Sequence, residues 1–419
     1  MHRILYSALL YLLSPLIVLY LAFRALKSAD YRGRWGERFG CHRLEKTDLL
    51  VHSVSMGETL AAIPLIRRIQ AAYPGLHITV TTTSPTGSAE VLKAFGDAVQ
   101  HCYLPLDFPM SVRRFLTQLQ PKHCIIMETE LWPNLLHHAA KAGVKLMLAN
   151  GRLSAKSARR YQSWPGLNCP MLQTLDLLAV QTRAEAERFE ALGVAAGKLH
   201  VCGSVKFDIQ IPEEQRARAL AWRQSWGRQT APVWVAGSVH PGEFEAVLSA
   251  HKHLLSVWPE ALLILVPRHP EQFEAAAEKI RQMGLELTRR SRQQMTAGTQ
   301  VLLGDTMGEL LSLYGAADQA FVGGTLIANG GHNPLEPAAM GLAVLMGPNH
   351  WDFAEITCLL HAAGALRLVD SGEELGQALQ AYFAEPGALK QASRAAMEVV
   401  SHNRGALDKQ FALVAALIG

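Results

Sequence analysis

The residues most able to do chemistry in this chain stand where apolar, strand-like runs give out. Ser55-Met-Gly-Glu58 closes the run 49–55 and opens a helical stretch. A carboxylate in the first turn of a helix is favoured by the helix dipole, so Glu58 can be a plain cap. The same position suits a general base that takes a proton from an acceptor hydroxyl. Spacing alone leans to the cap. Glu128-Thr-Glu130 ends another run just before Leu-Trp-Pro-Asn, as caps or as acid–base and hydroxyl-binding groups. Asn150-Gly-Arg152 and Gly203-Ser-Val-Lys-Phe-Asp208 are turns of the same kind. Lys206 could neutralise an anionic donor or leaving group, although a lone lysine is more often simply solvated.

The second half of the chain repeats the pattern with different chemistry. Ser238 ends one run, Pro267-Arg268-His269 the next, and Gly304-Asp-Thr-Met307-Gly308-Glu309 a third. Gly323-Gly-Thr325 and Gly330-Gly-His-Asn333-Pro334-Leu335-Glu336 follow. Glycine-rich turns let backbone amides approach phosphate, and a helix opening near Asn333 would aim its N-terminus at the anion. Arg268 could grip a phosphate or carboxylate with two bonds. Glu336, one turn into that helix, is the kind of carboxylate that holds a ribose or sugar diol. Each could be a structural turn alone; together, at the strand ends of one sheet, they read as a site.

The elements that must position these residues are legible from the apolar pattern. Runs at 49–55, 77–84, 123–130, 145–152, 177–182 and 199–204 alternate with helical stretches, and a polar connector near 211–230 follows. The rhythm restarts at 233–239, 261–269, 300–305, 319–325 and 342–347. Continuous apolar strands alternating with helices indicate parallel sheets covered on both faces. Two such sets predict an α/β protein of two doubly wound domains, 28–210 and 211–419, with ligands outside the carboxyl ends of the strands. The helical stretch 387–418 could pack back on the first domain.

Composition narrows the function. The 419 residues are 49% hydrophobic and 18% charged, and the net charge of +4 argues against a nucleic-acid partner. The six cysteines are scattered without a CxxC pair, and buried free thiols in a reducing compartment are the reading they suit. No Asp-x-Asp, HxxxH or HExxH offers a metal cage, so no metal and no cofactor are expected. His137-His138 and His251/His253 fall in helical patterns and read as surface residues. No GxGxxG follows the first strand, and a GxSxG elbow and a GxxxxGK[ST] loop are missing.

Residues 1–27 form a segment apart. Ile4 to Phe23 carries no charge, and about 20 apolar residues suffice to span the hydrocarbon core. Pro15 would kink such a helix, which membrane helices tolerate. Leu-Ala-Phe-Arg is a poor cleavage site, so an uncleaved anchor is expected rather than a signal peptide, and an apolar circumference argues against an interfacial helix. Arg24, Lys27, Arg32, Arg34, Arg38 and Arg43 follow the run, which places the remainder of the chain on the cytoplasmic side. These cations are a topology signal or a surface for anionic lipid.

Taken in order, Ser55-Met-Gly-Glu58, Glu128-Thr-Glu-Leu-Trp-Pro133, Asn150-Gly-Arg152, Gly203-Ser-Val-Lys-Phe-Asp208, Pro267-Arg-His-Pro270 and Gly330-Gly-His-Asn-Pro-Leu-Glu-Pro337 make a larger pattern. With the basic YRGRWGERFG after the anchor, it resembles the 3-deoxy-D-manno-octulosonic acid (Kdo) transferase family. One departure is Ser204, where the family usually has Asn. The resemblance implies a GT-B fold, two Rossmann-like domains facing across a cleft behind an N-terminal transmembrane helix. It implies CMP-Kdo as donor, a lipid A precursor at the inner leaflet of the cell inner membrane as acceptor, and an inverting, metal-independent reaction. By motif, Glu58 would be the general base, and Glu128 and Lys206 would support the transition state. Ser238, Pro267, Arg268, Met307, Gly308, Glu309 and Asn333 to Glu336, with Pro334 and Leu335, would line the donor site. From residue chemistry alone, a UDP-sugar transferase, a sugar-nucleotide epimerase or a binding scaffold stays open.

Overall fold

The structure, a computed structural model, describes every residue except Met1, Gln293 and Gln294, so the segment 1–27 is described from His2 onward. The chain divides into two compact units, Met1–Asp208 with Arg404–Gly419, and Ile209–Asn403.

In the first unit, strands β1 (Leu49–His52), β2 (Ile78–Thr82), β3 (Gln100–Tyr103), β4 (His123–Met127), β5 (Lys145–Gly151), β6 (Leu177–Val180) and β7 (Leu199–Val201) form one sheet in the order β3-β2-β1-β4-β5-β6-β7. All pairings are parallel. Strand order reverses between β1 and β4, and a crevice at the carboxyl ends belongs at that point. Successive residues of a strand face opposite ways, so each sheet face has its own core. Leu50, Cys124 and Ile126 pack on one side. Leu49, Val51, Ile125 and Met127 pack on the other.

The second unit repeats the design. Strands β8 (Val233–Val239), β9 (Leu262–Pro267), β10 (Leu287–Arg289), β11 (Val301–Leu303), β12 (Gln319–Val322), β13 (Ala343–Met346) and β14 (Leu366–Leu368) run β10-β11-β9-β8-β12-β13-β14, again all parallel. The reversal lies between β8 and β12. Trp234, Ala236, Leu263 and Leu265 fill one face, and Val233, Val235, Leu262 and Ile264 the other.

Three strands have no counterpart in the apolar runs: β3, β10 and β14. Each lies at a sheet edge, where one side of the strand needs no strand partner and a continuous apolar run is not required. The polar stretch taken for a connector is a helix, Glu213–Ser225. Its Arg223 holds Asp318 with two bonds of 2.8 Å. His251 is not a surface residue: it is fully buried, accepting from the Trp234 indole at 3.1 Å and paired with the Gln300 carbonyl at 2.8 Å. Burial lowers its pKa to about 4, so it packs as neutral imidazole.

The C-terminal helical stretch is shared. Pro386–His402 stays with the second unit, and Ala406–Ile418 belongs to the first. The Asp208 carboxylate accepts from the Gly405 and Leu407 amides at 2.6 Å each, and Ala406 and Val414 are buried in the core around Leu49. At the other end, Arg3–Lys27 is a single helix running through Pro15, with mean hydropathy 2.1 over its most apolar window. Part of the basic stretch behind it is structural. Buried Glu37 binds Arg34 at 2.7 Å and the Tyr103 amide at 2.7 Å, while buried Arg38 donates to the Thr83 carbonyl at 3.2 Å.

Candidate active site

In the first unit, the strand-order reversal brings the sequence motifs to one place. Ser55 caps the helix Met56–Ala72, and Glu58 reaches back: its two carboxylate oxygens accept from the Val54 amide at 2.7 Å and the Ser55 hydroxyl at 2.9 Å. Capping is therefore real, and it holds the carboxylate in one orientation. Burial raises the Glu58 pKa above the ordinary carboxylate range. The hydrogen bonds from Val54 and Ser55 oppose this, the Glu128 charge adds to it, and the Lys206 charge opposes it.

Glu128 follows β4 in the left-handed region, at φ 53°. Such a conformation is costly for a residue with a side chain and recurs at functional sites. Its carboxylate meets the Lys206 ammonium at 3.2 Å, both groups partly open to solvent. Glu130 is raised to about 7, by burial first and then by Glu58 and Glu128. Lys206 is placed by a second left-handed residue, Asn150 at φ 52°. Fully buried Asn150 accepts from the Val205 amide at 3.1 Å, and its own amide donates to Gln410 of the C-terminal helix at 3.0 Å. Ser204 accepts from the Lys206 amide at 3.4 Å, so the residue that departs from the family pattern still caps the turn.

In the second unit a further left-handed residue, Ser238 at φ 56°, ends β8. Gly323 lies so close to it that an added Cβ would come within 2.5 Å of the Ser238 carbonyl oxygen. Pro267 ends β9 in register with Val239, and the Arg268 amide donates to the Val239 carbonyl at 2.9 Å. The Arg268 side chain makes no ion pair with a described residue, but its charge reaches Glu336 and His332. Glu336 is raised by burial against the Asn333 hydrogen bond and the Arg268 charge.

The glycine-rich segment differs from its sequence reading. The amides of Gly324, Thr325 and Leu326 donate to the buried carboxylate of Glu243 at 2.7, 3.0 and 3.0 Å, and the His240 amide joins them at 3.0 Å. These amides are already satisfied by an internal carboxylate. The helix expected near Asn333 begins at Leu335 and has five residues, and the Asn333 side chain accepts from the Leu335 amide at 3.1 Å. That terminus is already capped. His240-Pro-Gly-Glu243 has the spacing of a reciprocal helix cap, a signal that could have exposed Glu243 in the sequence. His240 and His332 stack, with their Nε2 atoms 2.9 Å apart, and burial lowers His332 to about 4.

Met307-Gly308-Glu309 turns with Gly308 at φ 78° and Met307 exposed. The Glu309 carboxylate accepts from Arg290 at 3.1 Å and from the Thr306 hydroxyl. Among the described residues, no hydrogen bond or ion pair joins this turn to Arg268 or Glu336. The structure thus gathers Glu58, Glu128 and Lys206 in one unit, and Arg268, His332, Asn333 and Glu336 in the other.

Comparison with known proteins identifies the family. The family model described as 3-deoxy-D-manno-octulosonic-acid transferase (kdotransferase) matches residues 33–209. A 3-deoxy-D-manno-octulosonic acid transferase of Haemophilus influenzae is 40% identical over 415 residues, covering 98% of this chain and 97% of the relative. Among solved structures, UDP-GlcNAc 2-epimerase from Neisseria meningitidis bound to UDP-GlcNAc aligns with TM-score 0.57 at 14% identity, over 87% of this chain and 99% of that one. A glycosyltransferase from Rickettsia africae aligns with TM-score 0.54 at 13% identity, over 90% and 99%. At such identities the two structures speak for the fold alone, α/β of the GT-B type. The 40% identity with the Haemophilus protein over nearly the whole of both chains decides the family, and this chain belongs to the 3-deoxy-D-manno-octulosonic acid transferases, a family of glycosyltransferases.

Proposed function

We propose that this chain transfers Kdo from CMP-Kdo to a lipid A precursor, with inversion and without metal at the reacting centre. The observation that carries the reading is the capped, buried Glu58 beside the Glu128–Lys206 pair at the strand-order reversal of the first unit. Glu58 takes the proton of the acceptor hydroxyl while the acceptor oxygen bonds to the anomeric carbon of Kdo. The bond from that carbon to the CMP phosphate breaks, and its electron pair leaves with CMP. A single displacement with one carboxylate base inverts the anomeric centre, as in inverting glycosidases. Lys206 offsets the negative charge of the donor or of the departing phosphate, where fixed charges act without reorganising. Glu128 holds Lys206 in place.

The donor is assigned to the second unit. Arg268 is the candidate for an anionic group of CMP-Kdo, Glu336 and Asn333 for the ribose diol, and the backbone at Ser238, Pro267 and Met307–Glu309 for the remaining contacts. Pro334 and Leu335 complete the turn that carries Glu336. Acceptor chemistry and the apolar helix Arg3–Lys27 together support work at the cytoplasmic face of the cell inner membrane. Replacing Glu58→Gln should abolish transfer from CMP-Kdo to the tetra-acylated precursor, measured by mass spectrometry, while CMP binding by calorimetry stays within about twofold, the scatter of a remote change. Full retained transfer would sink the base assignment. Selective binding of UDP over CMP would sink the donor assignment.

A further inference from the structure

The geometry points to an Arg3–Lys27 helix that lies in the plane of one membrane leaflet, docked along the first unit, rather than crossing the bilayer. This rests on the membrane reading above and changes how the membrane is engaged.

Both ends of the helix are tied to the same compact unit. Arg3 Nη1 and Ser7 Oγ both donate to the Asn134 side-chain oxygen at 3.0 Å, and the Tyr6 hydroxyl donates to the Asp107 carboxylate at 3.0 Å. Asp107 and Asn134 are buried and bonded to each other, so these are contacts with the body of the unit. Further along, the Tyr11 ring packs on Phe108 at 5.3 Å. At the far end, Arg32 donates to the Ala25 carbonyl at 2.9 Å, and the chain enters Trp35–Arg38, whose Glu37 and Arg38 are buried in the same unit. A 25-residue helix is about 37 Å long. A bilayer cannot stand between its two ends while one folded unit holds both.

The faces of the helix say the same. Arg3, Ser7, Leu10, Ser14, Ile17 and Leu21, spaced four and three apart, are all at least partly buried. Offset by two residues, which is about 200° around a helix, Leu5, Leu9, Leu12, Leu16, Leu19 and Phe23 are all exposed. One stripe meets the protein, and the opposite stripe is wholly apolar and uncovered. The occupant that fits it is the acyl layer of a leaflet. Arg24 stacks over Tyr20 and Tyr31, and Lys27 over Phe23, which sets cations beside the apolar stripe at the level of anionic head groups. A helix can be apolar all round and still lie in the interface when protein covers one of its sides.

The test uses the full chain. Flotation with phosphatidylethanolamine–phosphatidylglycerol vesicles comes first: failure to float would sink the membrane reading itself. Two single-cysteine chains are then labelled with an impermeant maleimide in inverted inner-membrane vesicles and in spheroplasts. One keeps only Cys41, an exposed reporter of the body; the other carries only His2→Cys. We expect both to be labelled from the same face, with loss of labelling from the other. Labelling of His2→Cys from the face opposite Cys41 would overturn the in-plane helix and leave membrane attachment intact. Independently, Ser7→Cys with Asn134→Cys in a chain without other cysteines should form a disulfide in membranes under mild oxidation. Floating, folded protein that never cross-links would also overturn the docking.

Discussion

Glu58 does two things that compete when read from spacing alone: it caps the helix Met56–Ala72 and stands ready as a base. The cap bonds fix its orientation, and burial keeps its proton affinity above that of an ordinary carboxylate, which suits a group that must accept a proton near neutral pH. A sign for the pH profile follows. Transfer should fall on the acid side as Glu58 protonates, at a higher pH than an ordinary carboxylate would set. The Lys206 charge lowers the Glu58 pKa and the Glu128 charge raises it. Lys206→Ala should therefore move that acid limb to higher pH, and Glu128→Gln to lower pH. Lys206→Ala should also reduce kcat roughly 10²–10³-fold, as loss of one transition-state donor does. Steady-state kinetics across pH would read both, and an unchanged kcat would remove Lys206 from the reaction.

At the scale of elements, the glycine-rich loop after β12 is held from inside by Glu243. Four backbone amides converge on this one fully buried carboxylate. Removing it by Glu243→Ala leaves those donors unpaired and should cost roughly 3–5 kcal/mol. Urea unfolding of the second unit would show this as a lower midpoint, and a change below about 0.5 kcal/mol would mean the loop is held by other contacts. Edge and centre differ in how readable they are. The central strands are buried along their length and mostly apolar because both faces are covered. Gln100–Tyr103, Leu287–Arg289 and Leu366–Leu368 lie at edges, where polar residues are tolerated, and their runs are too short and mixed to stand out. Helix Glu213–Ser225 is hard to read for a related reason: only Ala219, Trp222 and the following Trp226 meet the core, and Arg223 on Asp318 supplies a polar hold that leaves no long apolar stripe in the sequence.

For the whole molecule, the end of the chain serves the first unit. Gln410 receives the Asn150 amide, Arg68 pairs with Asp408, and Ala406 and Val414 fill the core around Leu49. Deleting Arg404–Gly419 should lower the first unit's unfolding midpoint and weaken the turn that presents Lys206, while the second unit's transition stays in place. Circular dichroism with a probe in each unit would check this, and equal shifts in both would contradict it. Acid should weaken the second unit through His251. Its folded pKa, lowered by burial to about 4, lies below the 6.5 of a free imidazole. The unfolded chain thus binds more protons in that interval, so the stability contribution is whole above pH 6.5 and is lost as pH falls towards 4. The full interval corresponds to roughly 3 kcal/mol. His251→Gln should flatten the dependence of the unfolding free energy on pH over that range, and an unaltered slope would show that His251 is not its source.

Local pattern determined a good deal by itself. Two sets of parallel strands, the turns at their carboxyl ends and the ordered motifs around Glu58, Glu128, Lys206, Arg268 and Glu336 all follow from residue type and spacing, because periodicity and turn chemistry act over a few residues. The meeting of Glu58, Glu128 and Lys206 was decided by strand order, with β4 laid beside β1 and Asn150 carrying the Val205 amide. Several strand orders would bury the same apolar runs, so no local pattern could select among them. Likewise, only the tertiary structure shows that Glu243 already fills the amides of the glycine-rich loop, and that the apolar N-terminal helix has a docked side. Hydrogen-bond partners far apart in the chain are a matter of three-dimensional proximity, which spacing along the sequence does not record.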